Sequence, residues 1–116
     1  MNSEFAAKQK KIISIIRSIP KGCVASYGQV ASIAGIARGH RLVARVLRED
    51  TPADLPWYRV IRGDGYCGMD EGSEGFLKQF SLLKSEGVIA IKGRVKMKQY
   101  QWQPDMDFLL FRPDNL

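Results

Sequence analysis

Ser26-Tyr27-Gly28-Gln29-Val30-Ala31-Ser32-Ile33-Ala34-Gly35 carries its own punctuation. A serine ahead of such a run can accept a hydrogen bond from the first unpaired backbone N–H groups of a helix. The stretch predicts a helix of about two turns from Tyr27 to Ala34, with Gly35 supplying the turn that follows. Beyond it a longer helix is predicted from Arg38 to Glu49. Leu42, Val43, Val46 and Leu47 fall on one side of that helix. Arg38, Arg41, Arg45 and Arg48 step by three, four and three residues along another. A short helix, a glycine turn and a second helix with an apolar back and an arginine front make a helix-turn-helix.

Toward the N-terminus, Phe5, Ile12, Ile15, Ile16 and Ile19 recur at helical spacing, so a helix is predicted from Ser3 to Ile19. Ser3 is its expected cap, and Pro20 and Gly22 end it. Cys23-Val24-Ala25 reads as a short extended piece. On the other side, Thr51 to Pro56 is a loop, Arg59-Val60-Ile61 a short buried strand, and Gly68 to Gly75 a glycine-rich loop. A helix from about Glu74 to Ser85 should bury Phe76, Leu77, Phe80 and Leu83, with Gly87 as its C-terminal cap. Ile91 to Gln99 alternates strictly and reads as one strand. Its Lys92, Arg94, Lys96 and Lys98 form either a second phosphate track or an edge guarded against aggregation, and the guarded edge is the expectation. Phe108-Leu109-Leu110-Phe111 should dock the tail. With no repeat or linker, residues 1–116 are expected to form one domain, with 104–116 a C-terminal extension docked on the body.

The formal charge of +6 favours an anionic partner, nucleic acid first. His40 is the sole histidine, and Cys23 and Cys67 are the only cysteines, so a zinc site lacks ligands; no metal or cofactor is expected. There is no signal-peptide pattern and no apolar run long enough for a membrane span. A cytoplasmic monomer is the expectation.

Pro56-Trp57-Tyr58-Arg59-Val60 resembles the Pro-Cys-His-Arg-Val active-site motif of the O6-alkylguanine-DNA alkyltransferases. Four further blocks resemble the same family in order: Ile19-Pro20-Lys21-Gly22, Val24 to Ala31, Ala34-Gly35 with Arg41-Leu42-Val43, and Glu86-Gly87-Val88. Trp57 stands where the family has its nucleophilic cysteine and Tyr58 where it has histidine. An indole is a poor nucleophile, and a phenol that titrates near pH 10 cannot take up a proton at neutral pH. The chain is therefore identified with the alkyltransferase-like proteins, the non-enzymatic branch.

That resemblance implies a mostly α fold with short β elements, a winged helix-turn-helix-like DNA-binding domain. It implies minor-groove docking on double-stranded DNA containing O6-alkylguanine, with the damaged base rotated out of the duplex. Arg41 takes the position of the intercalating arginine and Tyr27 that of the tyrosine pressing on the neighbouring phosphate. Arg38, Arg45 and Arg48 are expected to add phosphate contacts and Gly39 to lie in the groove, where His40 can crowd it. The expected lesion pocket is Tyr27, Pro56, Trp57, Tyr58 and Val60. Bound without transfer, the lesion would be marked for nucleotide excision repair proteins of the UvrA type.

Arg59 is read as structural, through a buried ion pair or carbonyl contacts. Asp70 and Glu71 would repel phosphate, so their loop is given no binding role. Two other functions compete: an alkyltransferase with a relocated acceptor thiol at Cys67, which can be exposed in its glycine-rich loop, and a sequence-specific helix-turn-helix regulator.

Overall fold

The computed structural model describes residues 3–49 and 51–112. Helix α1 (Ser3–Ser18) presents Ile12, Ile15 and Ile16 to the core, all fully buried, with Ile19 just after it. The cap expected from Ser3 lies outside the described side chains. Gly22, at φ 89, turns the chain into β1 (Ala25–Ser26).

Helix α2 (Tyr27–Ile33) starts as its sequence dictates: Ser26 Oγ accepts the Gln29 N–H at 2.9 Å. Gly35 follows at φ 74. Helix α3 then spans His40–Arg48, two residues shorter at its start than expected. Arg38 is not helical. It sits at φ 54, in the left-handed region, within the turn. Gly39 is buried, and a Cβ there would lie 2.6 Å from Ile36 Cγ2 and 3.0 Å from Ala31 Cβ. Its missing side chain lets the start of α3 close onto α2. Val43 and Val46 complete that contact, fully buried in a cluster with Val30, Ala31 and the α1 isoleucines.

Strand β2 (Val60–Ile61) runs parallel to β1, with Ala25 opposite Val60 and Ser26 opposite Ile61. Because the strands are parallel, the 3-10 turn Trp57–Arg59 leads into β2 at the end where β1 begins, and it packs against α4. Helix α4 (Glu74–Ser85) is capped by Ser73 Oγ, which accepts from the Phe76 N–H. It ends with Gly87 at φ 88, where the Val88 N–H reaches Leu83 O and the Gly87 N–H reaches Lys84 O, the Schellman pattern. Its buried face is Gln79 and Leu83, whereas Leu77, expected inside, is 59% exposed.

The single strand expected from Ile91 to Gln99 is instead a hairpin and a helix. Strands β3 (Ala90–Ile91) and β4 (Arg94–Val95) pair antiparallel, and α5 (Met97–Tyr100) follows. Lys92 at φ 53 and Gly93 at φ 76 make the turn, with the positive φ at both positions that a type I′ loop needs to match the twist of its strands. Helix α6 (Met106–Phe111) docks through Phe108, whose ring meets Trp102 edge-on at 5.0 Å. Leu110 and Phe111 stay exposed, so only part of the expected apolar cluster packs; residues 113–116 lie outside the described structure. No helix of the described residues is long and apolar enough to cross a membrane. Among the described residues the fold is mostly helical, with two two-stranded sheets.

Candidate nucleic-acid interface and lesion cavity

Trp57 opens onto a cavity of about 330 Å³, within the range of small-ligand sites. Tyr27 comes to it from the first turn of α2, Ala44, Leu47 and Arg48 from α3, and Val60 from β2. Gly68 and Met69 close it from the loop after β2, and Gln79 from α4. The helix-turn-helix and the Pro-Trp-Tyr-Arg-Val segment therefore share one recess. No described residue accepts a hydrogen bond from the Trp57 indole N–H, and the ring meets Tyr58 edge-on at 5.9 Å.

Three of the expected pocket residues, Tyr27, Trp57 and Val60, line this cavity; Pro56 and Tyr58 do not. Pro56 sits at the cap of the 3-10 turn, its carbonyl accepting the Arg59 N–H. Tyr58 is turned away, and its hydroxyl donates to Glu86 Oε2 at 2.8 Å. The reason is local: consecutive residues of a 3-10 turn project about 120° apart, so Trp57 and Tyr58 cannot share a face.

Glu86 gathers the surrounding segments. Arg59 Nε donates to its Oε1 at 2.9 Å and Arg59 Nη2 to its Oε2 at 2.6 Å, while Arg59 Nη1 reaches Ile19 O at 2.8 Å. Both side chains are largely buried, at 14% and 6% exposure. The hydrogen bonds from Arg59, assisted by Tyr58, hold the Glu86 carboxyl below its ordinary range against the opposing effect of burial. Tyr58 is raised, first by burial and then by the hydrogen bond to Glu86.

The arginines separate. Arg41 and Arg48 project from α3, and Arg48 lines the cavity. Arg45 is held back: its Nε donates to Glu49 at 3.0 Å, and its guanidinium lies 4.1 Å from the Phe5 ring centroid, over α1. Arg38 and His40 are exposed and flank the buried Gly39 at the inter-helix turn. The continuous four-arginine front is thus corrected to Arg41 and Arg48 on the helix, Arg38 beside it and Arg45 engaged elsewhere. Burial raises the Tyr27 phenol above its ordinary value, Cys67 adds to this and Arg48 opposes it; the hydroxyl stays protonated at neutral pH.

Cys67, open to exposure on the sequence reading, is buried. Its thiol donates to Gln79 Oε1 at 2.9 Å, and its sulfur accepts the Met69 N–H at 3.4 Å. Gln79 also donates to Tyr58 O and Val60 O, at 3.0 and 2.9 Å. This buried amide holds the pocket segment in place, and sequence reasoning missed it. A glutamine amid the apolar spacing of α4 was the available signal. Ala44, Leu47, Gly68 and Met69 were also missed as cavity lining; Leu47 was assigned to the core stripe. Gly68 lies so near Tyr27 that a Cβ there would sit 3.1 Å from the phenol oxygen.

Residues 7–88 match the family described as 6-O-methylguanine DNA methyltransferase, DNA binding domain. The chain belongs to this family. It is 32% identical over 96 residues to the DNA base-flipping protein of Vibrio parahaemolyticus, covering 81% of this chain and 94% of that one. It is 28% identical over 100 residues to alkyltransferase-like protein 1 of Schizosaccharomyces pombe, covering 81% and 93%. The crystal structure of S. pombe Atl1 in complex with damaged DNA containing O6-carboxymethylguanine superposes with a TM-score of 0.77. The sequences are 27% identical there, over 90% of this chain and 99% of that one. Within this family, then, the chain resembles the alkyltransferase-like members in both sequence and backbone.

Proposed function

We propose that this protein binds O6-alkylguanine in duplex DNA without removing the alkyl group. The observation that carries the reading is Trp57 on the wall of a cavity shared with Tyr27 and Arg48, with no cysteine among the residues lining it. The helix-turn-helix docks in the minor groove and the damaged base turns into the cavity. Unstacking costs a few kcal/mol, least for a base already mispaired. Contact between the base and an aromatic side chain returns about 1–3 kcal/mol. Arg41, exposed on α3, fills the vacated space, where a planar guanidinium can stack and hydrogen-bond together. Tyr27 presses on the adjacent phosphate. The protein then stays on the lesion and marks it for nucleotide excision repair through UvrA-type proteins.

Competition binding tests this reading: duplexes holding O6-methylguanine should displace a labelled lesion duplex at lower concentration than guanine duplexes of the same sequence. Equal competition would refute lesion recognition and favour a regulator of undamaged sites.

A further inference from the structure

We infer that the duplex-binding surface runs on from the helix-turn-helix across the Gly63–Asp64 turn to the start of α5, just beyond the β3–β4 hairpin, where Lys96 and Lys98 take backbone phosphates. The inference rests on the DNA-binding reading above and extends it to a segment outside the residues 7–88 that match the family.

The basic row from Lys92 to Lys98 suited a long exposed edge strand, and no such edge exists. The strands are two residues long and already paired with each other, and Lys96 and Lys98 fall at the start of α5. Lys96 and Lys98 lie beyond both strands and have no strand edge to guard. They line a groove of about 630 Å³ together with Gly63, Asp64, Arg94 and Met97. A neighbouring hollow of about 430 Å³ is formed by Tyr27, Gly28, His40 and Arg62, and again by Gly63 and Asp64. Gly63 and Asp64 line both, so the turn they form lies between the hollow at the first residues of α2 and the groove at Lys96 and Lys98.

The junction is held firmly. The Val95 N–H donates to Gly65 O at 2.9 Å, Arg94 Nε donates to Asp64 O at 2.8 Å, and Tyr66 bridges to Arg94. A side chain on Gly65 would collide with the Val95 carbonyl. Asp64 is the one acid lining either hollow among the described residues, and its carboxylate is occupied: Arg62 donates to Oδ2 at 2.7 Å and the Tyr66 N–H to Oδ1 at 3.1 Å. Lys96 and Lys98 are exposed and form no ion pair among the described residues. Two unneutralised cations on the far side of the turn that also borders the Tyr27 hollow complement the phosphate row of the same duplex.

The test is the salt dependence of binding for Lys96→Ala/Lys98→Ala, measured by fluorescence anisotropy on O6-methylguanine and guanine duplexes. The expected result is a log–log slope shallower by about 1.8, since each neutralised phosphate contributes about 0.9. The change should be alike for both duplexes, with lesion preference and thermal melting unaltered, and Lys96→Arg/Lys98→Arg should restore the slope. An unchanged slope, in a protein whose wild type binds, would overturn the inference and leave the groove to an acidic protein partner. A wild type that binds no duplex would overturn the DNA reading itself.

Discussion

The Tyr58 hydroxyl donates to Glu86 Oε2 at 2.8 Å, on the opposite side of the chain from the cavity that Trp57 lines. Two adjacent residues of one motif thus do different work. Trp57 forms a wall of the recess, and Tyr58 fastens the segment to a carboxylate that also holds Arg59 and, at 3.5 Å, accepts the Gly22 N–H. The Ile-Pro-Lys-Gly, Pro-Trp-Tyr-Arg-Val and Glu-Gly-Val blocks, far apart in the chain, meet at Glu86.

Glu86→Gln should therefore cost about 3 kcal/mol, since it leaves the buried Arg59 guanidinium without its counter-charge. The same carboxylate links stability to pH. Its folded pKa is depressed, so its contribution is complete above the ordinary carboxylate value of about 4.3 and is lost as pH falls through the folded value. Urea unfolding at pH 7 and pH 3 checks both: the variant should be weaker at pH 7, and the gap to wild type should narrow in acid.

Trp57→Ala should weaken binding to O6-methylguanine duplexes by about 1–3 kcal/mol, the worth of one base–aromatic contact. Binding to guanine duplexes should change less, because phosphate contacts dominate there. Titrations of both duplexes at one salt concentration measure the difference.

Arg41→Ala and Arg45→Ala separate the two kinds of arginine on α3. Arg41 is exposed and makes no ion pair among the described residues, so its loss should weaken lesion binding and leave melting unchanged. Arg45 serves α1. Its loss removes an exposed pair and a contact with Phe5, lowering stability by about 1 kcal/mol with little effect on DNA affinity. Thermal melting and anisotropy on both variants distinguish these outcomes.

The helices were legible where the signal is local. Ser26, Gly35 and Gly87 each act on their nearest neighbours, so their capping and turn chemistry could be read directly. The arginine front was over-read because periodicity gives a direction on the helix, not what an adjacent helix offers: Phe5 and Glu49 drew Arg45 away. The hairpin at Lys92–Gly93 was hidden because alternation of side chains continues through a two-residue turn. The far wall of the cavity was out of reach for a different reason. Met69 and Gln79 join Trp57 only through tertiary packing; the glutamine within the apolar spacing of α4 hints at a buried polar role, but nothing near either residue in sequence says which wall it completes.

The intact mass of the protein recovered from its complex with an O6-methylguanine duplex tests the central claim most directly. The protein should come back unmodified and the DNA should still carry the methyl group. A protein heavier by one CH2, with the methyl on Cys67 or Cys23, would contradict it.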